Sequence, residues 1–242
     1  MKTDDAGVSL DAREIQNFWE QRARRYQDEE LVNVSNLEAD AELAREKHRQ
    51  EQAVLMDYVR PEPGQFLLDL GAGHCAWSVT FARIVEAVDA VEYSEGMVEL
   101  ARRHVEAEGA ANVTIHQAPA QDYQSSRSYD TVLLSGLTIY LNDAELAQLL
   151  GNIRTYLRDG GRVVLRDGTA KEEPYTINNR YSEELEGNYS AHYRTADQYI
   201  DWFSRYGLRI LRHQDMFPAG SSLNKRKETI LRVYEFVKDA AP

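Results

Sequence analysis

A short apolar segment that ends in glycines and runs straight into a helical pattern constrains this chain more than any other stretch. Phe66-Leu67-Leu68-Asp69-Leu70 is apolar but for Asp69, and Pro61, Pro63 and Gly64 stand before it. A run this short, flanked by breakers, predicts a buried parallel strand. Gly71-Ala72-Gly73 closes it, and Ser78 to Val85 then carries an apolar helical pattern. Glycine lets the backbone turn sharply and admits a ligand where a Cβ would otherwise stand. The first N–H groups of the helix that follows suit a polar or anionic ligand group.

Two acids narrow what such a turn can hold. Asp69 stands in the strand just ahead of the glycines, where a carboxylate repels a pyrophosphate and suits a cationic amine or sulfonium. Ala87-Val88-Asp89-Ala90-Val91-Glu92 reads as a second strand ending in an acid, about twenty residues past the glycines. An acid there accepts hydrogen bonds from two ribose hydroxyls.

Together these residues resemble the cofactor site of the class I, small-molecule type of S-adenosylmethionine-dependent methyltransferase. The resemblance implies that the turn of Asp69, Gly71, Ala72 and Gly73 holds the methionine end of S-adenosyl-L-methionine. Glu92, with Tyr93 beside it, would hold the ribose, and Met97 would lie against the adenine. In the segment Gln117 to Tyr123 the family usually has an acid where this chain has Pro119. The Ala120 N–H would still read the adenine ring, with Gln121 or Asp122 taking the amino group. Ser135 and Gly136 close the fourth strand, Tyr129 to Gly136, where family members turn backbone carbonyls toward the transferring methyl group. Trp19-Glu20-Gln21-Arg22-Ala23-Arg24-Arg25-Tyr26, on a helix that Asp11 can cap, is similar to a helix that closes over the cofactor. Tyr26, with Arg22 or Arg25, would then contact the methionine carboxylate; packing against the core is the other reading of Trp19 and Tyr26.

The expected fold class is α/β: a doubly wound, mostly parallel seven-stranded sheet with N-terminal helices. Residues 1–60 are expected to form a helical extension covering the cofactor site, its second helix opened by the capping box Ser35-Asn36-Leu37-Glu38. The charge-alternating stretch Glu42 to Glu51 reads as a solvated face. Residues 61–242 are expected to form the methyltransferase core domain, with Arg162 to Arg166 as fifth strand after a tight turn at Arg158 to Gly161. Two antiparallel strands, Leu208 to Met216 and Thr229 to Val237, finish it, joined by a polar segment. From Asp167 to Thr195 the strand pattern lapses, and residues 171–206 hold six of the 14 tyrosines. Residues 168–195 are read as an inserted substrate cap after the fifth strand.

Methyl transfer to a hydroxyl or a protonated amine needs a base poised near neutral pH. His192, in the cap, is the first candidate because its ring titrates in that range; Tyr140 and Asp167 follow. An exposed loop histidine and a core aromatic are the competing readings of His192 and Tyr140.

Forty acidic against 28 basic residues give a net charge of −12, which disfavours nucleic acid and anionic membranes as partners. Cys75 is the single cysteine; it permits no internal disulfide and reads as a small buried filler. No signal-like or membrane-spanning stretch is evident, so a cytoplasmic protein is expected. The histidines are scattered and predict no metal site. The expected activity is methyl transfer to O or N of a polar small molecule: a sugar, an amino-sugar nucleotide or a natural-product intermediate. Homo-oligomerisation is left open. The alternatives are a catalytically silent S-adenosylmethionine-binding subunit and a nucleic-acid or protein methyltransferase. A nicotinamide-dependent oxidoreductase is opposed by Asp69.

Overall fold

The computed structural model describes residues 9–25, 41–183, 185 and 187–239. Its centre is β1 (Phe66–Leu70), which runs parallel to β2 (Ala87–Glu92) on one side and β4 (Tyr129–Ser135) on the other. Leu67 to Leu70 are all buried, as a strand covered on both faces requires, and this is why the segment is apolar at every position but Asp69. β3 (Val113–Gln117) flanks β2, and β5 (Leu157–Ala170) flanks β4, again parallel.

Helices α1 (Ala12–Arg25) and α2 (Ala41–Val59) precede the sheet, and α3 (Ala76–Ala82), α4 (Glu95–Ala107) and α5 (Asp143–Tyr156) connect its parallel strands. Beyond β5 come the hairpin β6 (Tyr175–Ser182) and β7 (Gly187–Tyr193), then α6 (Ala196–Arg205), β8 (Leu208–Asp215) and β9 (Thr229–Lys238). The sheet order is β3-β2-β1-β4-β5-β9-β8, with β9 antiparallel to both neighbours. Leu146, Leu149 and Ile153 of α5 pack with Tyr199 and Phe203 of α6 on one face. Leu55, Tyr58 and Val59 of α2 pack with Phe81 and Val85 on the other. The seven-stranded, mostly parallel sheet between helical layers is the fold the sequence predicts.

Helix starts follow local chemistry. Asp11 Oδ1 accepts from the N–H of Arg13 at 2.8 Å, and Ser94 Oγ from that of Met97 at 3.3 Å, satisfying donors that the first helical turn leaves unpaired. At α5 the cap is Asn142, in a capping box with Glu145. The box predicted at Ser35 to Glu38 lies outside the described residues.

Two expectations change. Arg158 to Gly161, predicted as a turn before the fifth strand, belongs to β5 as an irregularity: pairing jumps from Tyr129↔Leu157 to Thr131↔Arg162. Gly160, at φ +72°, takes up the extra length. The cap is also not strandless, because β6 and β7 form a separate two-stranded antiparallel sheet. Its inward positions are mostly Tyr189, Ala191 and Tyr193. An aliphatic alternation is therefore missing, although the period of two is present.

Candidate active site

A cavity of about 1070 Å³ opens at the carboxyl ends of β1 and β4, where the strand order reverses and where α/β sheets leave a crevice. Its floor is the glycine turn. Gly71 and Gly73 have φ of +74° and +54°, and the N–H groups of Gly71 and Ala72 donate to Val91 O at 2.9 and 3.0 Å. A Cβ on Gly71 would lie 3.0 Å from Leu137 Cδ1. Cys75 sits at φ +63° ahead of α3. Its thiol is buried, and burial, reinforced by the charge of Asp69, pushes it up to about 12.

Asp69 is 1% exposed; Oδ2 accepts the Ser78 hydroxyl at 2.6 Å, while Oδ1 is buried without a partner. Burial raises this carboxyl to about 6, the Ser78 hydrogen bond pulling the other way and the charge of Glu92 adding to the rise. Glu92 is also buried. Its Oε2 accepts from Gly73 N at 2.9 Å, and its Oε1 from Tyr93 N and Ser94 N at 2.9 and 2.8 Å. Burial raises its pKa as well, against those three backbone hydrogen bonds. A carboxylate has roughly four acceptor positions, so one remains.

Tyr93, Met97, Ala120 and Gln121 line the same cavity. Asp122 turns away, accepting from Gln148 Nε2 of α5 at 2.8 Å; Gln121 is thus the one of that pair at the cavity. Ser135 and Gly136 line it too, with Gly136 at φ +67° and its N–H on Arg166 O. Phe18, Trp19 and Arg22 bring α1 to the cavity. Arg22 is buried and donates to Leu185 O at 3.4 Å, whereas Arg25 is exposed. Tyr26 lies outside the described residues.

Of the three candidates for catalysis, Tyr140 lines the cavity, its ring edge-on to Trp19 and Tyr189. Its Oη is 3.4 Å from Tyr189 Oη, which is 3.1 Å from Tyr193 Oη. Burial raises all three phenols, so they are neutral hydrogen-bonding groups. Asp167 is fully buried: Oδ2 accepts from Thr138 N at 2.7 Å, Thr138 Oγ1 at 2.6 Å and Ile139 N at 3.3 Å, and Oδ1 from Gly168 N at 2.8 Å. Burial raises its pKa while those hydrogen bonds lower it. The carboxylate thus secures the 3₁₀ turn Thr138–Tyr140.

His192 is not among the residues of the cavity wall; its Nδ1 lies 2.7 Å from Thr176 Oγ1 across the hairpin. This revises the expectation of a histidine facing the pocket. Successive side chains of a strand point to opposite faces, and here Tyr189 and Tyr193 take the inner one.

Other cavity residues have no motif in the sequence. Glu51, predicted on a solvated face, is 3% exposed and accepts from Arg166 Nη2 at 2.6 Å. His74 is buried with Nδ1 unpartnered; burial, with His104 and His48 nearby, lowers its imidazole to about 3. Lys225 and Arg226 arrive from the polar segment between β8 and β9. Only the charge and aromatic content of these segments could have hinted at them. Among the described residues no helix is long and apolar enough to cross a membrane, and no group of three or more His, Cys, Asp or Glu could hold a metal ion.

Residues 67–161 match the model of a family described as a methyltransferase domain. Phosphoethanolamine N-methyltransferase 1 of Triticum aestivum is 25% identical over 160 residues, 62% of this chain and 29% of that protein. The Caenorhabditis elegans enzyme of the same name is 22% identical over 211 residues, 87% of this chain and 42% of that protein. The chain therefore spans less than half the length of either relative. Among solved structures, Burkholderia thailandensis 1,6-didemethyltoxoflavin-N1-methyltransferase, with 1,6-didemethyltoxoflavin and S-adenosylhomocysteine bound, superposes with a TM-score of 0.68. The identity is 16%, and the match covers 97% of this chain and 93% of that one. Sheet order, glycine turn and matched domain define a Rossmann-like transferase fold. Within that fold, residues 67–161 match a methyltransferase domain.

Proposed function

We propose that this chain binds S-adenosyl-L-methionine and transfers its methyl group to an oxygen or nitrogen of a polar small molecule. The observation that carries this is the partnerless Oδ1 of buried Asp69 at the cavity wall. A buried carboxylate oxygen without a partner costs free energy, and a cation placed beside it removes that cost. The methionine end of the cofactor is cationic at both its ammonium and its sulfur. Glu92 keeps one acceptor position for a ribose hydroxyl, and turning from Gly73 N would open a second. Tyr93, Met97, Ala120 and Gln121 would take the adenosine, and Gly71, Ala72 and Gly73 the methionine end.

The bound cofactor would supply a methyl group activated on a positive sulfur. The chain's own work would be alignment and exclusion of water. Ser135 and Gly136 would face the reacting atoms, and Tyr140, whose ring position is set through Asp167 and the 3₁₀ turn, would hydrogen-bond the nucleophile. A small-molecule acceptor is supported by a cavity walled by the β6–β7 hairpin and by relatives named for small amines and heterocycles. The net charge of −12 speaks against nucleic acid.

Calorimetry of the full chain with S-adenosylhomocysteine tests the reading. Saturable binding is expected, weakened about 10- to 100-fold by Asp69→Asn, the scale of a charge-assisted hydrogen bond. Absent binding, or equal binding by the variant, overturns it.

A further inference from the structure

The segment between β3 and β4 turns sharply where it meets the cavity. Asp122 N donates to Pro119 O at 3.0 Å, closing a β-turn with Ala120 and Gln121 at its tip. Ala118, Pro119, Ala120 and Gln121 all line the cavity. Among the described residues nothing accepts from the N–H groups of Ala120 and Gln121, so the tip holds two unused backbone donors. Bonds from outside the turn fix where that tip stands. Ala118 N donates to Glu92 O, at the end of β2, at 3.0 Å. From α5, Gln148 Nε2 donates to Asp122 Oδ1 at 2.8 Å and Asn152 Nδ2 to Gln121 O at 2.7 Å. Only the Asn152 bond reaches the tip itself. Its neighbours on the helix, Leu149 and Ile153, are fully buried against the sheet, so Asn152 stands on a fixed support.

Glu92 is the residue proposed for the ribose, and the turn starts beside its carbonyl. The tip, further along, lies toward the part of the base farthest from the sugar, the edge that carries N1 and the six-position. Adenine N1 accepts a hydrogen bond, whereas hypoxanthine carries a hydrogen there and an oxygen at the six-position. A backbone N–H held opposite N1 suits the first base and meets another donor in the second. The Gln121 side chain makes no such distinction, because its amide offers a donor or an acceptor according to how it is turned. A loosely held turn would make none either, since a small shift brings the same N–H opposite the six-position oxygen.

Building on the cofactor reading, we infer that Asn152 is a positioning residue that gives the site its preference for adenine, by holding the Ala120–Gln121 tip through Gln121 O. Asn152 is not among the residues of the cavity wall, so its effect on the base passes through the turn.

The test is calorimetry of the full chain with S-adenosylhomocysteine and then with S-inosylhomocysteine, which differs from it only in carrying hypoxanthine. The native chain is expected to prefer the adenine compound by about 10-fold or more, the scale of one donor left unmatched. Two variants follow: Asn152→Ala, which suits a helix, and Asn152→Asp, which keeps the shape and has no N–H to donate. Each is expected to weaken the adenine compound about 10-fold and the hypoxanthine compound little, bringing the ratio toward one. A merely structural bond would weaken both compounds by the same factor, and an unchanged ratio in the variants therefore overturns the inference. Equal binding of the two compounds by the native chain overturns it as well and leaves the cofactor reading standing. Failure of S-adenosylhomocysteine to bind removes both.

Discussion

Thr138 gives both its backbone N–H and its hydroxyl to a single oxygen of Asp167, at 2.7 and 2.6 Å. The pair joins the end of β5 to the turn that carries Tyr140, and Arg194 Nη1 caps the same turn by donating to Thr138 O at 3.0 Å. In Asp167→Asn one oxygen becomes an N–H donor facing other donors. A loss of about 2–3 kcal/mol in folding stability is expected, seen as a lower urea midpoint at unchanged slope. Were Asp167 instead a base for the reaction, the variant would lose turnover while keeping its midpoint.

Asp69 is expected to make cofactor affinity depend on pH. Its folded pKa of about 6 lies above the ordinary 3.8, so the fold favours the protonated acid. Its contribution to the stability of the ligand-free chain is therefore greatest below about 3.8 and falls as pH rises toward 6. A cationic ligand prefers the carboxylate, so binding runs the other way. Affinity for S-adenosylhomocysteine is expected to strengthen as pH rises through about 6 and then to level off. Calorimetry across that range checks it, and Asp69→Asn is expected to flatten the profile.

Gly96 lets α1 dock on α4. Its N–H donates to Glu20 Oε2 at 3.0 Å, and a Cβ there would meet Ala23 Cβ at 2.8 Å and Glu20 Oε2 at 2.9 Å. Gly96→Ala is expected to weaken that docking by about 1–3 kcal/mol, the scale of overpacking. Faster hydrogen exchange in α1, with lower cofactor affinity and little change in the sheet, is the expected signature. Unchanged exchange in α1 would refute it.

Cys75 should be inert in the folded chain. With its thiol buried and pushed up to about 12, almost no thiolate exists to attack a disulfide reagent at neutral pH. The reagent is expected to react at the rate of unfolding, and at once in denaturant. Fast reaction of the native chain would contradict the buried position.

The part of the cavity proposed for the cofactor is legible in the sequence because it comes from nearly contiguous residues. Phe66 to Met97 runs strand, glycine turn, helix, strand and helix start, and each change of period shows in the letters. The opposite wall is not. Arg22, Tyr140, Tyr189 and Arg226 come from four separated segments, and only the folded chain brings them to one cavity. Glu51 looked like part of a solvated, charge-alternating face because its partner, Arg166, is 115 residues away. His192 and Tyr193 are adjacent, and which of them faces inward depends on the hairpin's pairing, including its slip between Ile177 and Arg180. The slip is marked in the letters only by Asn178 and by Asn179, which takes φ +48°.

The sheet is closed from within rather than from its edge. β9 enters between β5 and β8, pairing with each, so before residues 229–238 are in place both neighbours present an open row of backbone donors and acceptors. Until that segment is made, the chain must keep the slot clear of other strands. Loss or damage of this one segment would leave two sticky borders instead of one, making it the natural starting point for aggregation of the whole domain.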